Sequence, residues 1–542
     1  FFRGFNRFFH RASGAYTVGV GRVLRVSAVA IVIYVGLVGL TGAGFSRVPP
    51  GFVPTQDKEY LVAFAQLPDG ATLDRTDAVI RKMSSIALQH PGVLSSVAFP
   101  GLSINGFVNQ PNAGIAFVVL KPADERTSQD LQAGAIVQAL NGQFFSQIQE
   151  SIVAIFPPPP VQGLGQVGGF KLYVEDRAGR GFEDLYEQVQ AGMAKAQQQP
   201  SLAGLFSSFQ VSVPQIDADV DRERVKSYGV QLTDVFETLQ VYLGSLYVND
   251  FNRFGRTYQV NAQAESSFRL QPEQIRRLET RNAKGDMVPL GSLVTVTRGY
   301  GPDQVMHYNG YPAAEINGGP SPGHSSGQAQ AAIADVLREQ LPSGMTFEWT
   351  ELAYQELLAG NTMLFVFPLC VLLVYVVLAA LYESWSLPLS VILIVPMTLL
   401  SAIAGVWLTG GDNNVFTQIS FLVLAGLACK NAILIVEFAK EREDDGESAL
   451  DAILRACRIR LRPILMTSLA FIMGVVPLVF SSGAGFEIRQ AMGIAVFAGM
   501  LGVTLFGLFL TPVFYIVIGR LTRRRLHRTS AAVAGPVPAE GH

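Results

Sequence analysis

Residues 426–440 have the sequence GLACKNAILIVEFAK and place a lysine, Lys430, within a long apolar run. That run, residues 416–438, is long enough to cross a bilayer as one helix, which needs about 20 residues. Lys430 lies about midway along it, too deep for its side chain to reach a membrane surface. A charge at that depth costs about 2.5–3.5 kcal/mol on insertion scales, so the ammonium must face other helices, water or a counter-charge. The stretch predicts a helical membrane protein with a polar group in its interior.

The composition supports this prediction. Of the 542 residues, 49% are hydrophobic and only 15% are charged, which is unusual for a soluble chain. The formal net charge of −2 gives no argument for nucleic-acid binding. Six apolar stretches approach the length of a membrane span: 27–45, 362–381, 387–408, 416–438, 463–479 and 492–518. The first ends without a small-residue cleavage site, so we expect it to remain as a span.

Basic residues cluster on one side of these spans. Threading the six spans in order brings together the flank before the first, the segment between the fourth and fifth, and the flank after the sixth. Their basic residues are Arg3, Arg7, Arg11, Arg22, Arg25, Lys440, Arg442, Arg455, Arg458, Arg460, Arg462, Arg520, Arg523, Arg524, Arg525 and Arg528. The opposite short loops, 410–415 and 481–489, carry only Arg489. Because positive charge marks the cytoplasmic side, we place both termini in the cytoplasm and residues 46–360 outside.

The outward region begins with alternating strand and helix patterns. Alternating and β-branched apolar residues predict strands, and three-to-four spacing predicts amphipathic helices. The predicted strands are 60–67, 96–99, 115–120 and 152–156, and the predicted helices are 73–89 and 128–149. The order is βαββαβ, which is typical of a ferredoxin-like unit. Residues 157–160, four prolines, follow as a stiff connector.

A second copy of the pattern is interrupted by an insert. Its predicted elements are a strand at 170–175, a helix at 181–198, a strand at 313–317, a helix at 326–340 and a strand at 346–349. Between them lies a β-rich insert, residues 214–309, in which 246–260 resemble two strands around a Gly-containing turn. The predicted fold class is therefore an α-helical membrane protein with six transmembrane helices. Its large α+β region consists of ferredoxin-like βαββαβ units and a β-rich insert.

Thr467 in the fifth span and Arg460, just before that span, add to the argument from Lys430. Arg460 and Thr467 are seven residues apart, so they share one helical face two turns apart. Taken alone, Thr467 is an ordinary packing hydroxyl and Arg460 a positive-inside anchor. With Lys430 they favour a proton or ion relay over a lysine that is paired only to hold helices together. A relay also needs a carboxylate whose pKa responds to the ammonium, and no acidic residue lies at that depth in the other five spans. The relay is therefore incomplete.

Motifs for enzymatic chemistry are missing or poorly placed, and we expect no enzyme activity. No Gly-x-x-x-x-Gly-Lys-Ser/Thr phosphate loop occurs. Residues 323–327, GHSSG, match a nucleophile pattern, but residues 318–323 separate them from the preceding strand and spoil the tight elbow. We expect a turn that caps a helix at Ser325 or Ser326. The three cysteines, in two apolar runs and one basic loop, exclude a disulfide framework and disfavour a metal site; they are Cys370, Cys429 and Cys457.

Several motifs, in order along the chain, resemble those of the resistance-nodulation-division (RND) multidrug efflux pumps. The resemblance is to the hydrophobe/amphiphile branch, AcrB/MexB-like and closest to the MexF/OqxB type. The motifs are 49–54 (PPGFVP), 247–251 (YVNDF), 381–388 (LYESWSLP), 430–440 (KNAILIVEFAK) and 460–468 (RLRPILMTS). They cover essentially the whole chain, as the C-terminal half of such a pump. The resemblance implies a homotrimeric drug/proton antiporter of the bacterial inner membrane, driven by the proton gradient without a cofactor.

The same resemblance implies partners and a division of the chain. A periplasmic adaptor and an outer-membrane channel would complete the export route for amphiphilic small-molecule drugs. The implied segments are a cytoplasmic-side amphipathic helix (1–26), the seventh transmembrane helix (27–45), a first periplasmic porter subdomain (46–160), a second (161–213 and 310–360), an inserted docking subdomain (214–309), the eighth to twelfth transmembrane helices (361–520) and a cytoplasmic tail (521–542). Lys430, Thr467 and Arg460 match relay positions on the tenth and eleventh helices. The paired aspartates belong to the fourth helix, in the N-terminal half of such a pump.

A drug path is also implied. The switch loop between two drug pockets matches residues 101–106, namely Gly101, Leu102, Ser103, Ile104, Asn105 and Gly106. Other pocket residues implied by the resemblance are Phe64, Gln66, Val97, Phe99, Phe117, Phe156 and Lys171. Leu102, Ile104 and Val97 stand where AcrB-like members have aromatics, so planar drugs should stack less strongly. Gly163 and Lys171 replace acidic residues and Phe206 an arginine, so a preference for cationic drugs does not carry over. From the residues alone, the loop fits a gate or a plain long hairpin equally.

Three other functions stay open. A metal-exporting RND relative would need methionine clusters, but the methionines of the outward region, Met83, Met193, Met287, Met306 and Met345, are scattered singly. A SecD/SecF-like protein-translocation factor also has six spans and one large loop, and it would act as a six-span unit. A binding protein of adhesin or receptor type has no use for a lysine in the middle of the membrane.

Overall fold

The computed structural model describes residues 2–166, 168–360 and 362–533, with side chains between residues 9 and 522. Residue 1 and residues 534–542 of the predicted terminal segments lie outside the described residues. The α-helices, in chain order, are α1 (Phe2–Arg25), α2 (Ser27–Arg47), α3 (Leu73–Leu88), α4 (Ala133–Gln147), α5 (Phe182–Ala196), α6 (Arg222–Ser227), α7 (Leu232–Leu239), α8 (Pro272–Ile275), α9 (Ser326–Gln340), α10 (Glu351–Ala359), α11 (Thr362–Leu381), α12 (Leu387–Ile392), α13 (Val395–Leu408), α14 (Val415–Asp444), α15 (Ala449–Val479) and α16 (Phe486–Val533).

The strands lie between α2 and α10. They are β1 (Tyr60–Gln66), β2 (Val93–Leu102), β3 (Asn109–Leu120), β4 (Ile152–Phe156), β5 (Phe170–Asp176), β6 (Leu202–Phe206), β7 (Val213–Val220), β8 (Leu246–Arg253), β9 (Arg256–Ala262), β10 (Glu279–Arg281), β11 (Met287–Pro289), β12 (Val294–Gly301), β13 (Met306–Tyr308), β14 (Tyr311–Pro320) and β15 (Met345–Thr350). The side of the helical bundle that carries this region is called the loop side below.

Six helical segments of the described chain are long and apolar enough to cross a membrane. They are α2, α11, the pair α12 and α13 as one span, α14, α15 and α16 as far as Thr522. The prediction of a helical membrane protein with six apolar helices is therefore confirmed. α11 stands at the edge of the bundle, because its buried residues are only Leu378 and Ala379.

The prediction of a basic loop between the fourth and fifth spans is wrong about its structure, because most of this segment is helical. α14 continues to Asp444 and α15 begins at Ala449, where the Ser448 hydroxyl caps it by accepting a hydrogen bond from the Asp451 N–H at 3.2 Å. Cys457, expected in this loop, is buried within α15. An apolar run marks only the part of a helix inside hydrocarbon, and the backbone hydrogen bonds continue into water. For the same reason α16 continues into the predicted tail, to Val533.

Glycines let α16 pack closely on its neighbours. A β-carbon added to Gly499 would overlap the side chain of Leu424 on α14, and one added to Gly502 would overlap Ser401 on α13. Helices in lipid associate through such close approach of their backbones, because lipid provides no hydrophobic drive between them. α13, α14 and α16 therefore form the tightly packed centre of the bundle.

The first unit of the extramembrane region spans residues 60–156. Its elements follow the order β1, α3, β2, β3, α4, β4, and its antiparallel sheet has the strand order β2-β3-β1-β4. Side chains alternate across β1, as the pleat of a strand requires. Leu61 and Ala63 join a core with the two helices that includes Phe144, whereas Val62 and Phe64 face the opposite way. That second face of the sheet lines the candidate site.

The second unit spans residues 170–206 and 306–350, and an insert, residues 213–301, separates its two parts. The unit's sheet has the order β13-β14-β5-β15, with β6 also paired to β14. β13 belongs to this sheet, although the predicted boundary placed residues 306–308 in the insert. In the insert, β7 pairs with β12, and β8 with β9 as an exposed hairpin.

The Gly-x-Ser-x-Gly match forms a helix cap. Ser325 precedes α9, and its Oγ accepts a hydrogen bond from the Gln328 N–H at 3.3 Å. The Gln328 Oε1 in turn accepts from the Ser325 N–H at 3.1 Å, which completes a capping box. This agrees with the predicted turn, and the serine hydroxyl is engaged by the backbone.

Candidate functional site

Lys430 lies on a face of α14 that no described helix covers. Exposed positions recur along α14 at Ile419, Val423, Gly426 and Lys430, a spacing that marks one helical face. Within the described residues, no hydrogen bond or ion pair engages the Lys430 ammonium. The predicted intramembrane lysine is thus presented on an open face of the bundle.

Thr467 lies near the same level on the neighbouring helix. A buried hydrogen bond from Asn431 Nδ2 to Ser468 Oγ, at 3.1 Å, ties α14 to α15. Lys430 and Thr467 each precede one member of this pair, so they are within about one helical turn of the same level. Thr467 is also exposed, and its hydroxyl donates only to the Ile464 carbonyl of its own helix, at 3.1 Å. The side chain therefore remains free to accept a hydrogen bond on the open face.

Arg460 lies two turns earlier on α15. Its guanidinium stands over the Phe438 ring at 4.8 Å from the ring centre, a cation–π contact. Its Nε is buried and has no hydrogen-bond partner among the described residues. The guanidinium of Arg442 lies 5.1 Å from the same ring centre. Two positive charges thus flank Phe438 at the end of the bundle away from the loop side.

A second candidate site lies between the two units of the extramembrane region. Three phenylalanines stack there, with ring centres 4.4 Å apart for Phe64 and Phe206, 5.6 Å for Phe156 and Phe206, and 5.9 Å for Phe64 and Phe156. Ile104 is buried in the same cluster, and Leu102 and Phe117 pack at its margin. Offset aromatic stacks of this kind offer a flat apolar surface. The structure thus brings Phe64, Phe156 and the loop side chain of Ile104 together.

The loop of residues 101–106 is fastened to the second unit. Asn105 Nδ2 donates hydrogen bonds to Ser208 Oγ at 2.6 Å and to Glu315 Oε1 at 2.8 Å. The same Glu315 oxygen accepts from the Ser208 N–H at 2.7 Å and from the Ser208 hydroxyl at 2.6 Å. Gly101 and Gly106 have φ angles of +80° and +73°, a region that favours glycine. Ser103 is buried within this turn. In this structure the loop is therefore held against the second unit.

Lys171 is buried close to this network, and nearby acidic groups balance its positive charge. Its Nζ lies 3.4 Å from Glu351 Oε1 and 5.4 Å from the centre of the Tyr173 ring. Burial by itself lowers the pKa of Lys171. The nearby groups, Glu351 first and then Tyr173 and Glu315, raise it, so the pKa lies above its ordinary value. The side chain is therefore a buried ammonium with acidic neighbours.

A cavity of about 220 Å³ opens beside Lys171. Its charged lining residues are Lys171, Glu315, Glu351 and Asp303, one basic and three acidic. Asn105 of the loop and Gln110 of β3 also line it. The aromatic cluster and this polar cavity therefore share the loop of residues 101–106 as a wall.

The remaining predicted pocket residues divide into two groups. Phe99 and Phe117 meet edge to face with ring centres 6.1 Å apart, and Phe99 and Val97 are 43% and 51% exposed. Their role in a drug pocket stays a prediction. Gln66 is buried, and its amide donates to the carbonyls of Leu67 and Asn112 at 3.5 and 3.4 Å. Gln66 is therefore bound to the backbone at the end of the central strand β1, and it does not line the polar cavity beside Lys171.

With this geometry in place, comparison with known proteins identifies the family. Residues 1–519 match the AcrB/AcrD/AcrF family. The chain belongs to this family. The RND resemblance of the sequence motifs is therefore confirmed.

AcrB/AcrD/AcrF relatives align along nearly the whole chain. The multidrug/solvent efflux pump membrane transporter MepB of Pseudomonas putida is 40% identical over 528 residues, 96% of this chain and 49% of MepB. The multidrug export protein AcrF of Escherichia coli K12 is 38% identical over 524 residues, and the multidrug resistance protein MdtF of the same strain is 36% identical over 527 residues. Each alignment with these two covers 96% of this chain and 50% of the relative. The chain thus spans about half the length of the relatives it matches.

Several residues of this AcrB/AcrD/AcrF chain escaped the sequence analysis. The predicted residue Asn105 binds Glu315 and Ser208, and the predicted residue Lys171 binds Glu351. None of these three partners lies in a recognised sequence motif. One signal was available for Glu315, which stands between the apolar residues Ala314 and Ile316 within the predicted strand 313–317. A carboxylate in such a position needs partners, and its partners lie more than 100 residues away along the chain.

Proposed function

We propose that this chain is one half of a proton-driven exporter of amphiphilic drugs. Such an exporter takes drugs from the inner membrane and periplasm and passes them towards an outer-membrane channel. The observation that carries the proposal is Lys430, an intramembrane ammonium on an uncovered face of a six-helix bundle. A lysine there is costly unless a counter-charge approaches. We propose that a second half, with a pair of aspartates in its fourth helix, covers this face and supplies that counter-charge.

The relay follows from the charges. An aspartate facing Lys430 would form an ion pair with the ammonium, which supplies the counter-charge that a lysine at this depth needs. When a proton arrives from the periplasm, the neutral acid no longer holds Lys430, and the ammonium turns to another partner. Thr467 is placed to accept a hydrogen bond at that level, and Arg460 to favour proton departure at the cytoplasmic end. The change of partner shifts the helices, as expected for alternating access in transporters.

The drug path lies between the two units. The stacked rings of Phe64, Phe156 and Phe206 suit the apolar part of an amphiphile. The cavity lining has one basic and three acidic residues, which suits a cationic head group despite the lysine at position 171. The switch loop, residues 101–106, separates these two surfaces and would move to let a drug pass.

The proposed assembly follows the family. The first and second units act as periplasmic porter subdomains of ferredoxin-like type, and the insert acts as the docking subdomain. Both termini lie in the cytoplasm, and residues 46–360 lie in the periplasm. Three copies of the complete transporter form a homotrimer that joins a periplasmic adaptor and an outer-membrane channel.

The test is the accumulation of ethidium, an amphiphilic cation, in a host without drug exporters of its own. Cells that express the complete transporter should accumulate several-fold less ethidium than cells with an empty vector. A protonophore should remove the difference. Export by residues 1–542 alone, without another half, would favour an independent six-span translocation factor, and export that persists without a proton gradient would contradict the relay.

A gain of function is expected at the exposed rim of the drug path. Val97→Phe adds a ring beside Phe99, which is itself 43% exposed. Aromatic pairs contribute about 0.5–1.5 kcal/mol beyond their buried area, so affinity for planar drugs should rise about two- to twelvefold. Fluorescence polarisation of ethidium bound to the purified transporter measures this.

The matched control is Leu94→Phe, at another exposed position of β2. It should leave ethidium affinity unchanged. Equal gains in both variants would mean that any surface ring binds the dye, and no gain in Val97→Phe would remove β2 from the drug path.

A further inference from the structure

A short connector, residues 57–59, joins the first unit to the membrane helices at the loop side. It lies between α2 and β1, and its three residues are Asp57, Lys58 and Glu59. All three form hydrogen bonds with residues far away along the chain. Asp57 binds Glu487 and Arg126, Lys58 binds the proline connector, and Glu59 binds Ala123. No sequence motif marks it.

Asp57 is anchored in the first unit by a buried ion pair. Its Oδ2 lies 2.8 Å from Arg126 Nη1, and the two side chains are 9% and 1% exposed. Arg126 also donates to the carbonyls of Lys121 at 2.6 Å and Leu131 at 3.2 Å. Charge-assisted hydrogen bonds with several fixed partners hold a side chain in one geometry. The Asp57 side chain therefore moves with the first unit.

The backbone of the same residue is bound to the first turn of α16 and to the segment just before it. The Asp57 N–H donates to Glu487 Oε1 at 3.0 Å, and the Gly485 N–H donates to the Asp57 carbonyl at 2.8 Å. Glu487 lies in the first turn of α16. The backbone of Asp57 is thus clamped at two points to the start of the last membrane helix.

The next two residues extend the junction. Lys58 Nζ donates to the carbonyls of Pro159 and Pro160, each at 2.9 Å, in the stiff connector between the two units. The Glu59 carbonyl accepts from the Leu120 N–H at 2.8 Å, and Glu59 Oε1 accepts from the Ala123 N–H at 3.1 Å. Three consecutive residues therefore hold the first unit, the proline connector and α16 together.

We propose that this junction transmits displacement of α16 to the first unit, with Asp57 and Glu487 as its positioning residues. The inference rests on the proposed function, because it assigns the route by which movement in the membrane reaches the drug path. Asp57 is suited to the role since its side chain belongs to one body and its backbone to the other. A shift at the start of α16 must either carry the first unit with it or break the two-point clamp. Drug binding between the units does not require the clamp, whereas transport does.

Hydrogen–deuterium exchange on the purified chain tests the physical link. Glu487→Ala removes the acceptor, so amide exchange in residues 54–62 and in residues 121–131 around Arg126 should rise about tenfold. Glu487→Gln keeps an acceptor oxygen and should raise exchange less than threefold. The matched control is Gln490→Ala, which removes a hydrogen bond to the Val479 carbonyl nearby without touching residues 57–59. Unchanged exchange in Glu487→Ala, or an equal rise in all three variants, would overturn the proposal.

The complete transporter tests the role in coupling. Glu487→Ala and Asp57→Asn should each lower ethidium export about tenfold, while the affinity for ethidium by fluorescence polarisation stays within twofold. Glu487→Gln should restore most of the export. A proportional loss of affinity and export, or full export by both variants, contradicts the coupling role. Lack of export by the unsubstituted transporter refutes the proposed function instead, and the exchange experiment still decides whether the junction exists as a mechanical link.

Discussion

Drug accumulation in cells carrying Lys430→Ala is expected to equal that of cells with no transporter. The substitution removes the ammonium on which the proposed exchange of partners depends, so proton entry no longer moves the helices. Within the described residues Lys430 forms no hydrogen bond or ion pair, so its loss should leave the packing of this bundle intact. The amount of assembled transporter, measured by native gel electrophoresis of membrane extracts, should therefore match that of the unsubstituted protein.

Lys440→Ala is the matched control for this prediction. Lys440 lies on the same helix and pairs with Asp444, four residues later, where both side chains are exposed. Exposed pairs of this kind contribute about 0–1 kcal/mol, so export should stay normal. Normal export by Lys430→Ala would show that the lysine is no part of the relay.

Glu315→Ala should free the loop of residues 101–106. The Glu315 carboxylate is buried and accepts from Asn105 Nδ2 and from both donors of Ser208. Each buried donor that loses its acceptor costs about 1–3 kcal/mol. Local opening of the loop should therefore become easier, and its amides should exchange about a hundredfold faster or more. Hydrogen–deuterium exchange of peptides covering residues 101–107 measures the effect.

The same substitution removes one of the acidic neighbours of Lys171. The pKa of Lys171, raised by those neighbours, should fall when Glu315 is absent.

The control for the loop-exchange experiment is Glu339→Ala in the same unit, whose carboxylate pairs with Lys195 at 2.9 Å and is 74% exposed. Loop exchange should not change in the control. If Glu315→Ala leaves the loop equally protected, the network around Asn105 does not hold it.

The sequence predicts the membrane part well because its signal is local. Each of the six spans is a run of apolar residues, and each is helical in the structure, the third as the pair α12 and α13. The apolar runs do not reach the ends of α14, α15 and α16. Hydropathy identifies only the part of a helix that can lie in hydrocarbon, and the helix continues into water through its backbone hydrogen bonds. The strands and helices of the first unit also fall where periodicity places them, with boundaries that differ by a few residues.

Contacts between remote segments explain what the sequence could not predict. Asp57 and Glu487 are 430 residues apart in the chain, and Asn105 and Glu315 are 210 apart. Periodicity and motifs describe neighbours along the chain, so neither pair leaves a local signal. The resemblance did identify Asn105 and Lys171 as residues of interest, but their partners emerge only when the two units are placed against each other. The relay role of Lys430 and Thr467 stays a prediction, because no ion pair engages the Lys430 ammonium within the described residues.

The interlocking of α13, α14 and α16 through Gly499 and Gly502 restricts how the membrane part can move. Because the Leu424 side chain of α14 and the Ser401 side chain of α13 fill the space over these two glycines, sliding of α16 along either helix would cause a steric clash. We expect the three helices to move together as one rigid body. α11, of which only Leu378 and Ala379 are buried, is free to move separately from them. A methyl group at position 502 would overlap the Ser401 side chain and push α16 away from α13.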